Sequence, residues 1–144
     1  MTLSRKILQG WNVLAIDDEP DSLEVIALVL TYYGANVIRA SNGQEGLDAV
    51  KVQRPKLIIS DISMPIADGW MLIYELRKNR ATMDIPVIAL TAHAMAGDRE
   101  RAIAAGFHNY LTKPLTPATF LSDLLRLLVD LPEFTDLIQD QPND

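Results

Sequence analysis

Four apolar runs in this sequence each end on side chains that can do chemistry. The four ends are Asp17-Asp18 after WNVLAI (11–16), Asp61 after KLIIS (56–60), Thr91 after IPVIAL (85–90) and Lys113 after HNYLT (108–112). Runs of this length and composition predict strands that are buried on both faces of a parallel sheet. Parallel strands end at one edge of their sheet, where open sheets bind ligands, so we expect these side chains to meet.

Three carboxylates at one edge predict a bound cation. Asp17, Asp18 and Asp61 would repel one another and raise one another's pKa unless a positive charge compensates. Oxygen ligands without cysteine favour a hard divalent ion such as Mg²⁺. With that ion present, a carboxylate can act as a nucleophile toward a phosphoryl group. Lys113 and the Thr91 hydroxyl then suit the phosphoryl oxygens, which predicts acyl-phosphate formation on an aspartate.

Strands and helices alternate along the chain, which predicts an α/β, doubly wound (βα)5 sandwich around a five-stranded parallel sheet. The second strand, ANVIRA, spans 35–40. Helix starts are expected at Pro20, at a capping box of Ser41 and Gln44, at Asp68, at Asp98, and at Thr116-Pro117. The third helix should place Trp70, Ile73, Tyr74 and Leu76 on or near its apolar side, and the last helix should run to Val129.

Composition narrows the class of protein. The chain has 144 residues, the size of one domain, and 49% of them are hydrophobic, enough for a core. Its formal net charge of -6 argues against a nucleic-acid partner, which needs a basic face. Cysteine is absent, so no disulfide or thiol nucleophile exists. The N-terminus has no long apolar run of the kind that predicts a signal peptide or a membrane span, so we expect a cytoplasmic protein.

The motifs DD (17–18), D.SMP..DG (61–69), TA (91–92) and YLTKP (110–114) together resemble the receiver domain of two-component response regulators. Their order, spacing and positions at strand ends all match that family. The resemblance covers the chain from about Trp11 to Val129. It implies the flavodoxin-like sheet order 2-1-3-4-5.

The resemblance assigns a role to each acidic residue. Asp61 would be the phosphoacceptor. Asp18 would bind Mg²⁺ directly, and Asp17 would act mainly through a bound water. The backbone carbonyl of Ser63 would supply a further ligand.

The resemblance also assigns the groups that hold and sense the phosphoryl group. Thr91 and Lys113 would contact its oxygens. Tyr110 occupies the switch position and would turn inward when Thr91 moves, although a fixed core aromatic is the alternative. The Lys113-Pro114 bond is expected to be cis.

Three residues depart from the usual receiver pattern. Ser63 and His93 lie two residues after Asp61 and Thr91, at positions that differ between members of the family and face the attacking water. Ser63 and His93 therefore do not allow the lifetime of a phosphoryl group on Asp61 to be predicted. His108 stands where an acid is common, and we see no reason for it to abolish phosphorylation.

A receiver implies a phosphorylation switch. Its partners would be a histidine kinase or histidine phosphotransfer protein that donates from a phosphohistidine, and a downstream protein that binds a surface of the fourth helix, fifth strand and last helix. Such a domain assists its own phosphorylation and dephosphorylation but is not a metabolic enzyme. One alternative is a scaffold of the same fold that works without phosphorylation. Another is a phosphohydrolase of the haloacid-dehalogenase type, which would need an acid where Ser63 stands.

The chain divides into an N-terminal extension (1–10), the receiver domain (11–130) and a C-terminal extension (131–144). In the last of these, Phe134, Leu137 and Ile138 have helical spacing after Pro132, before a frayed tail. The segment is expected to fold back onto its own domain, and the alternative is a homodimer contact through it or through the surface of the fourth helix, fifth strand and last helix.

Overall fold

A computed structural model describes residues 3–64, 66–92, 97–132 and 134. Five strands alternate with five helices in the described chain. The strands are β1 (Asn12–Ile16), β2 (Asn36–Ala40), β3 (Leu57–Asp61), β4 (Val87–Thr91) and β5 (Asn109–Thr112). The helices are α1 (Pro20–Tyr32), α2 (Gly43–Val52), α3 (Gly69–Arg77), α4 (Asp98–Ala105) and α5 (Phe120–Leu128). The predicted elements are therefore all present, with bounds that differ by a few residues.

The strands form one parallel sheet in the order β2-β1-β3-β4-β5, as predicted. Val13 is paired with Leu57 and Ile58 with Val87, so the central strands are in step along their length. Every pairing is parallel, which places the carboxyl ends of all five strands at one edge. This edge receives the side chains on which the functional prediction depends.

Alternation along the strands separates two hydrophobic cores. Val13 and Ala15 of β1 belong to a core that includes residues of α1 and α5. Leu14 and Ile16, which point to the opposite face, belong to a core that includes residues of α2, α3 and α4. The period of two in a strand thus gives the sheet a helical layer on each face. The sheet, with its functional edge, therefore lies between these two layers.

The predicted capping box of α2 is wrong by one position. Asn42, not Ser41, caps the helix, and its side-chain oxygen accepts from the backbone N–H of Glu45 at 2.9 Å. Glu45, not Gln44, reaches back and accepts from the backbone N–H and the hydroxyl of Ser41, at 3.0 and 2.8 Å. These hydrogen bonds lower the pKa of Glu45. A carboxylate is a stronger acceptor than the neutral amide of Gln44, which favours this register.

The prediction for α3 is confirmed at its start and wrong at one side chain. Asp68 accepts from the backbone N–H of Met71 at 2.9 Å, as an N-cap should. Ile73 and Leu76 are buried, but Tyr74 is 65% exposed. Tyr74 is one position beyond Ile73, about 100° around the helix, and so points away from the sheet.

The start of α5 also differs from the prediction. The helix begins at Phe120 after Thr119, not at Pro117 after Thr116. The carbonyl of Thr116 accepts from the backbone N–H groups of Thr119 and Phe120, at 3.2 and 2.9 Å, so a separate turn precedes the regular helix. The apolar face of α5 is buried in its own domain, with Phe120, Leu121, Leu124, Leu125 and Leu128 all in the core.

The terminal segments pack against the first core. Ile7 and Leu8 are 2% and 3% exposed, and Phe134 is 1% exposed. The ring of Phe134 lies edge-on to that of Trp11, with centroids 4.2 Å apart. Phe134 therefore folds back as predicted, whereas Leu137 and Ile138 lie outside the described residues. The proposed domain limits and the homodimer alternative stay predictions.

Gly69 is required by a close approach of two backbones. A Cβ at this position would lie 2.5 Å from the carbonyl oxygen of Asp61 and 2.8 Å from the Cα of Ile62. Gly69→Ala is expected to lower the free energy of unfolding by about 2 kcal/mol, because backbone atoms cannot move away without displacing the end of β3. Urea denaturation would measure it.

The matched control for this prediction is Gly46→Ala. There the added methyl group would meet the end of the Ile16 side chain rather than a backbone, so it should cost less. A smaller loss for Gly69→Ala than for Gly46→Ala would contradict the argument.

Candidate functional site

Four of the five strands, β1, β3, β4 and β5, each supply one residue to the site at their carboxyl ends. Asp17 directly follows β1, and Asp61 and Thr91 are the last residues of β3 and β4. Lys113 directly follows β5, and its backbone N–H donates to the carbonyl of Thr91 at 2.8 Å. The bond from Lys113 to Pro114 is cis, as predicted. The sheet thus brings together residues that are separated by up to 96 positions in sequence.

The ammonium group of Lys113 is the centre of the site. Its Nζ lies 2.8 Å from Oδ2 of Asp17, 2.9 Å from Oδ2 of Asp61 and 2.6 Å from Oε1 of Glu19. The side chain of Lys113 is only 8% exposed. A nearly buried ammonium with three carboxylates leaves a net negative charge at this edge, with Glu19 in place of the predicted Asp18.

Burial and neighbouring charges shift the pKa values in the site. Burial raises the pKa of Asp17 above its ordinary value of 3.8, and the charge of Asp61 raises it further, against the hydrogen bonds from Lys113 and from the backbone N–H of Glu19. Burial alone would lower the pKa of Lys113, but its hydrogen bonds to Asp17, Glu19 and Asp61 raise it above 10.5. Lys113 is therefore fully protonated at neutral pH.

The oxygens of this site fit a divalent cation. One oxygen from each of Asp17, Glu19 and Asp61 lies within 4.8 Å of the others. Within the described ranges, the buried Oδ2 of Asp17 has no hydrogen-bond partner, and the ammonium of Lys113, 2.8 Å away, is its ion-pair partner. An all-oxygen set with a buried, undonated carboxylate oxygen is the chemistry that Mg²⁺ prefers.

Two predicted ligands lie at the margin of this cluster. Asp18 is exposed and is not a member of the group of converging oxygens, whose third acid is Glu19. Ser63 is exposed, and its backbone N–H donates to Oδ1 of Asp61 at 3.1 Å. Direct metal binding by Asp18 and by the carbonyl of Ser63 both stay predictions.

The predicted switch residues share a cavity next to the cluster. Thr91 and Tyr110 line a space of about 160 Å³ together with Ser63 and Trp70. Tyr110 is partly buried and packs against the second core. The cavity offers room beside the strand ends, and the turning of Tyr110 into it stays a prediction.

The sequence profile of the response regulator receiver domain matches residues 13–125. The chain belongs to the response regulator receiver family.

Relatives of this receiver occur alone and within larger proteins. It is 39% identical to an uncharacterized 14.6 kDa protein of Leptolyngbya boryana, over 84% of this chain and 89% of that one. It is 38% identical to the signal transduction histidine-protein kinase BarA of Shigella flexneri, over 81% of this chain but only 13% of the kinase. It spans 45% of a probable transcriptional regulator, ycf27, of Porphyridium aerugineum, at 36% identity over 76% of this chain. This receiver is thus related to histidine kinase receiver domains of two-component signalling.

Solved receiver structures share the fold. The chemotaxis response regulator CheY4 of Vibrio cholerae is 28% identical with a TM-score of 0.76, over 88% of this chain and all of that one. The receiver domain of a sensor histidine kinase from Pseudomonas aeruginosa is 33% identical with a TM-score of 0.72, over 83% and 98% of the two chains. That neighbour was determined with a magnesium ion coordinated in its active site cleft. Across the described part of this receiver, no helix is both long and apolar enough to cross a membrane.

Glu19 is the site residue that sequence reasoning missed. Its backbone N–H donates to Oδ1 of Asp17 at 2.9 Å, and this turn brings its side chain back over Lys113. The available signal was the run of three acids, Asp17 to Glu19, directly after a strand. His93 lies outside the described residues. His108 lies away from the cluster, with its Nε2 3.0 Å from the carbonyl oxygen of Leu127.

Asp17→Asn is expected to stabilise the receiver at pH 7 in the absence of divalent metal, by about 1 kcal/mol. The folded-state pKa of Asp17 is raised, so the folded state binds its proton more tightly and the charged form costs stability above that pKa. The gain should shrink as pH falls and vanish below 3.8, where the carboxyl is protonated in both states. Urea denaturation between pH 3 and pH 8 with EDTA measures it.

The exposed acid Asp21 gives the control for this prediction. Asp21→Asn should leave the free energy of unfolding nearly unchanged. Loss of stability in Asp17→Asn at pH 7 would show that its ion pair with Lys113 outweighs the cost of its burial.

Proposed function

We propose that this receiver is a phosphorylation-dependent signalling switch in which Asp61 accepts a phosphoryl group from a phosphohistidine. The observation that carries the proposal is the cluster itself: Lys113 within 3 Å of both Asp61 and Asp17, at the carboxyl edge of the sheet. The donor would be a histidine kinase or a histidine phosphotransfer protein, and the reaction would take place in the cytoplasm. The family match and the related kinase receivers support this class of partner.

Three residues, Asp61, Ser63 and Lys113, have roles in the transfer step. A carboxylate oxygen of Asp61 attacks phosphorus in line, an O–P bond forms, and the P–N bond breaks with its electron pair returning to the imidazole. The N–H of Ser63, 3.1 Å from Oδ1, orients the carboxylate of Asp61. Lys113 compensates the negative charge that spreads over the phosphoryl oxygens. Water later cleaves the acyl phosphate, which makes the domain a switch rather than a metabolic enzyme.

The site fits Mg²⁺, and the residues that would hold it are Asp17, Asp18, Asp61 and the backbone carbonyl of Ser63. Bound there, the ion would screen the repulsion between the carboxylate and the incoming phosphoryl group. The Pseudomonas receiver, which was determined with a magnesium ion in its active site cleft, supports Mg²⁺ as the ion.

The test is the intact mass of the protein after incubation with a small phosphodonor. We expect one phosphoryl adduct per chain with Mg²⁺ and none with EDTA. Peptide mapping after reduction of the acyl phosphate should place the adduct on Asp61. A protein that stays unmodified at saturating Mg²⁺ would overturn the proposal and leave the scaffold of the same fold. No observation favours the scaffold. A phosphohydrolase is disfavoured because Ser63 stands where that type of enzyme needs an acid.

The fluorescence of Trp70 should report the switch. Trp70 lines the cavity that Thr91 and Tyr110 share, so a Tyr110 ring that turns inward changes its surroundings. In Trp11→Phe, whose remaining tryptophan is Trp70, we expect emission to change on phosphorylation. Adding Tyr110→Ala should remove most of that change.

Trp11 provides the control for this measurement, because it is 5% exposed and packs on Phe134 before the start of β1. The variant Trp70→Phe should therefore show constant emission. A response carried by Trp11, or one that survives Tyr110→Ala, would contradict an inward turn of Tyr110.

A further inference from the structure

All three N–H donors of Lys113 face carboxylates. A lysine ammonium has three donors and no more. Asp17, Glu19 and Asp61 each accept a hydrogen bond from Nζ, at 3.1, 2.6 and 2.9 Å. A phosphoryl oxygen can gain a hydrogen bond from this group only when one of the three carboxylates gives up its own.

The three carboxylates differ in how easily they can release the ammonium. Asp17 is fully buried, so bulk water cannot solvate its carboxylate when the contact breaks. Asp61 is itself the proposed acceptor, and its side chain is 7% exposed. Glu19 is 61% exposed, so water can solvate its carboxylate as soon as the contact breaks. Release of Glu19 from Lys113 therefore costs less free energy than release of Asp17 or Asp61.

We propose that Glu19 is a positioning residue that competes with the phosphoryl group for Lys113. In the resting domain its carboxylate holds the third donor, and it swings into water when a phosphoryl oxygen takes that donor. The inference rests on the proposed function of Asp61. It predicts that Glu19 slows phosphorylation, both by occupying the donor and by adding a negative charge at the mouth of the site.

The experiment compares Glu19→Ala and Glu19→Gln with the wild type. With a small phosphodonor and saturating Mg²⁺, we expect the phosphorylation rate constant to rise about two- to fivefold in Glu19→Ala, the range that an exposed ion pair can supply. Glu19→Gln, which keeps a neutral acceptor, should rise less. Glu24→Gln is the matched control, because Glu24 is as exposed but pairs with Arg39 at 3.1 Å, and its rate should not change.

A second readout is independent of phosphorylation. The Lys113 ammonium signal in ¹H–¹⁵N NMR reports how fast its protons exchange with water, and loss of one acceptor should speed that exchange in Glu19→Ala but not in Glu24→Gln. A role of Glu19 in folding alone would move thermal stability without moving this signal selectively.

The outcomes separate this inference from the function on which it rests. If the wild type takes no phosphoryl group, the proposed function fails and the competition fails with it. If the wild type is phosphorylated but Glu19→Ala reacts at the same rate or more slowly, only the competition is overturned. Equal acceleration in Glu24→Gln would also overturn it, because the effect would then be one of general charge.

Discussion

Asp61→Asn is expected to abolish phosphorylation while leaving the receiver folded. The variant removes the nucleophilic oxygen but keeps the size of the side chain and an acceptor for the N–H of Ser63, now 3.1 Å from Oδ1. The charge of Asp61 also raises the pKa of Asp17, so its removal relieves a repulsion between buried groups. No adduct should appear by intact mass after incubations at least about 100-fold longer than the wild type needs. The free energy of unfolding should stay equal or rise.

Asp21→Asn is the control for this variant, since Asp21 lies in the first turn of α1 near the site but is exposed. It should be phosphorylated at the rate of the wild type. Were the Asp61→Asn protein to gain an adduct at a comparable rate, the acceptor would be another residue and the assignment of Asp61 would be wrong.

Lys113→Met is expected to impair both reaction and stability. Methionine replaces the aliphatic stem at similar volume but supplies no charge. Phosphorylation should slow by about 10²-fold or more, the size of effect seen when a charge-stabilising donor is removed from a reacting centre. Asp17 and Asp61 would then face each other uncompensated, at 0% and 7% side-chain exposure, and we expect a loss of about 3 kcal/mol in EDTA. Stopped-flow phosphorylation and urea denaturation measure the two effects.

The pH range over which Lys113 stabilises the fold follows from the direction of its pKa shift. Its folded-state pKa is raised above 10.5, so its contribution to stability is fully present at pH 7 and is lost only as pH rises through the folded value. In the wild type, the titration of Lys113 should accordingly contribute no change in the free energy of unfolding between pH 6 and pH 9.

Mg²⁺ supplies a further test of Lys113→Met. If the cluster binds this ion, Mg²⁺ should restore part of the lost stability by neutralising the same carboxylates. Lys51→Met, at an exposed position in the last turn of α2, should change neither rate nor stability. A Lys113→Met protein as stable as Lys51→Met in EDTA would show that the carboxylates do not depend on Lys113.

Much of the site could be predicted because it depends on strand ends. In a parallel sheet the end of each apolar run lies at the same edge, so the sequence alone predicts that Asp17, Asp61, Thr91 and Lys113 lie together. The five-strand order came from the resemblance, because apolar runs of similar composition carry no information about which strand is in the middle. The structure confirms that order.

The features that were missed depend on loop geometry. Glu19 reaches Lys113 because its own N–H bonds back to Asp17, and sequence spacing does not reveal such a turn. The cap of α2 was misplaced because Ser41 and Asn42 are both good N-cap residues, and only the side chain of Glu45 decides between them. The late start of α5 has the same origin, a local turn at Thr116 that competes with the helix.

The contact between Trp11 and Phe134 has a practical consequence for handling the protein. Trp11 immediately precedes β1, and Asp17 immediately follows it, so this aromatic pair and the reactive edge are separated by the length of a five-residue strand, about 17 Å. A fluorophore or surface linker attached beside this aromatic pair starts from the end of the sheet remote from Asp61. Such an attachment should therefore leave the acceptor edge open to a phosphodonor, and binding assays on a chip can be designed from that side.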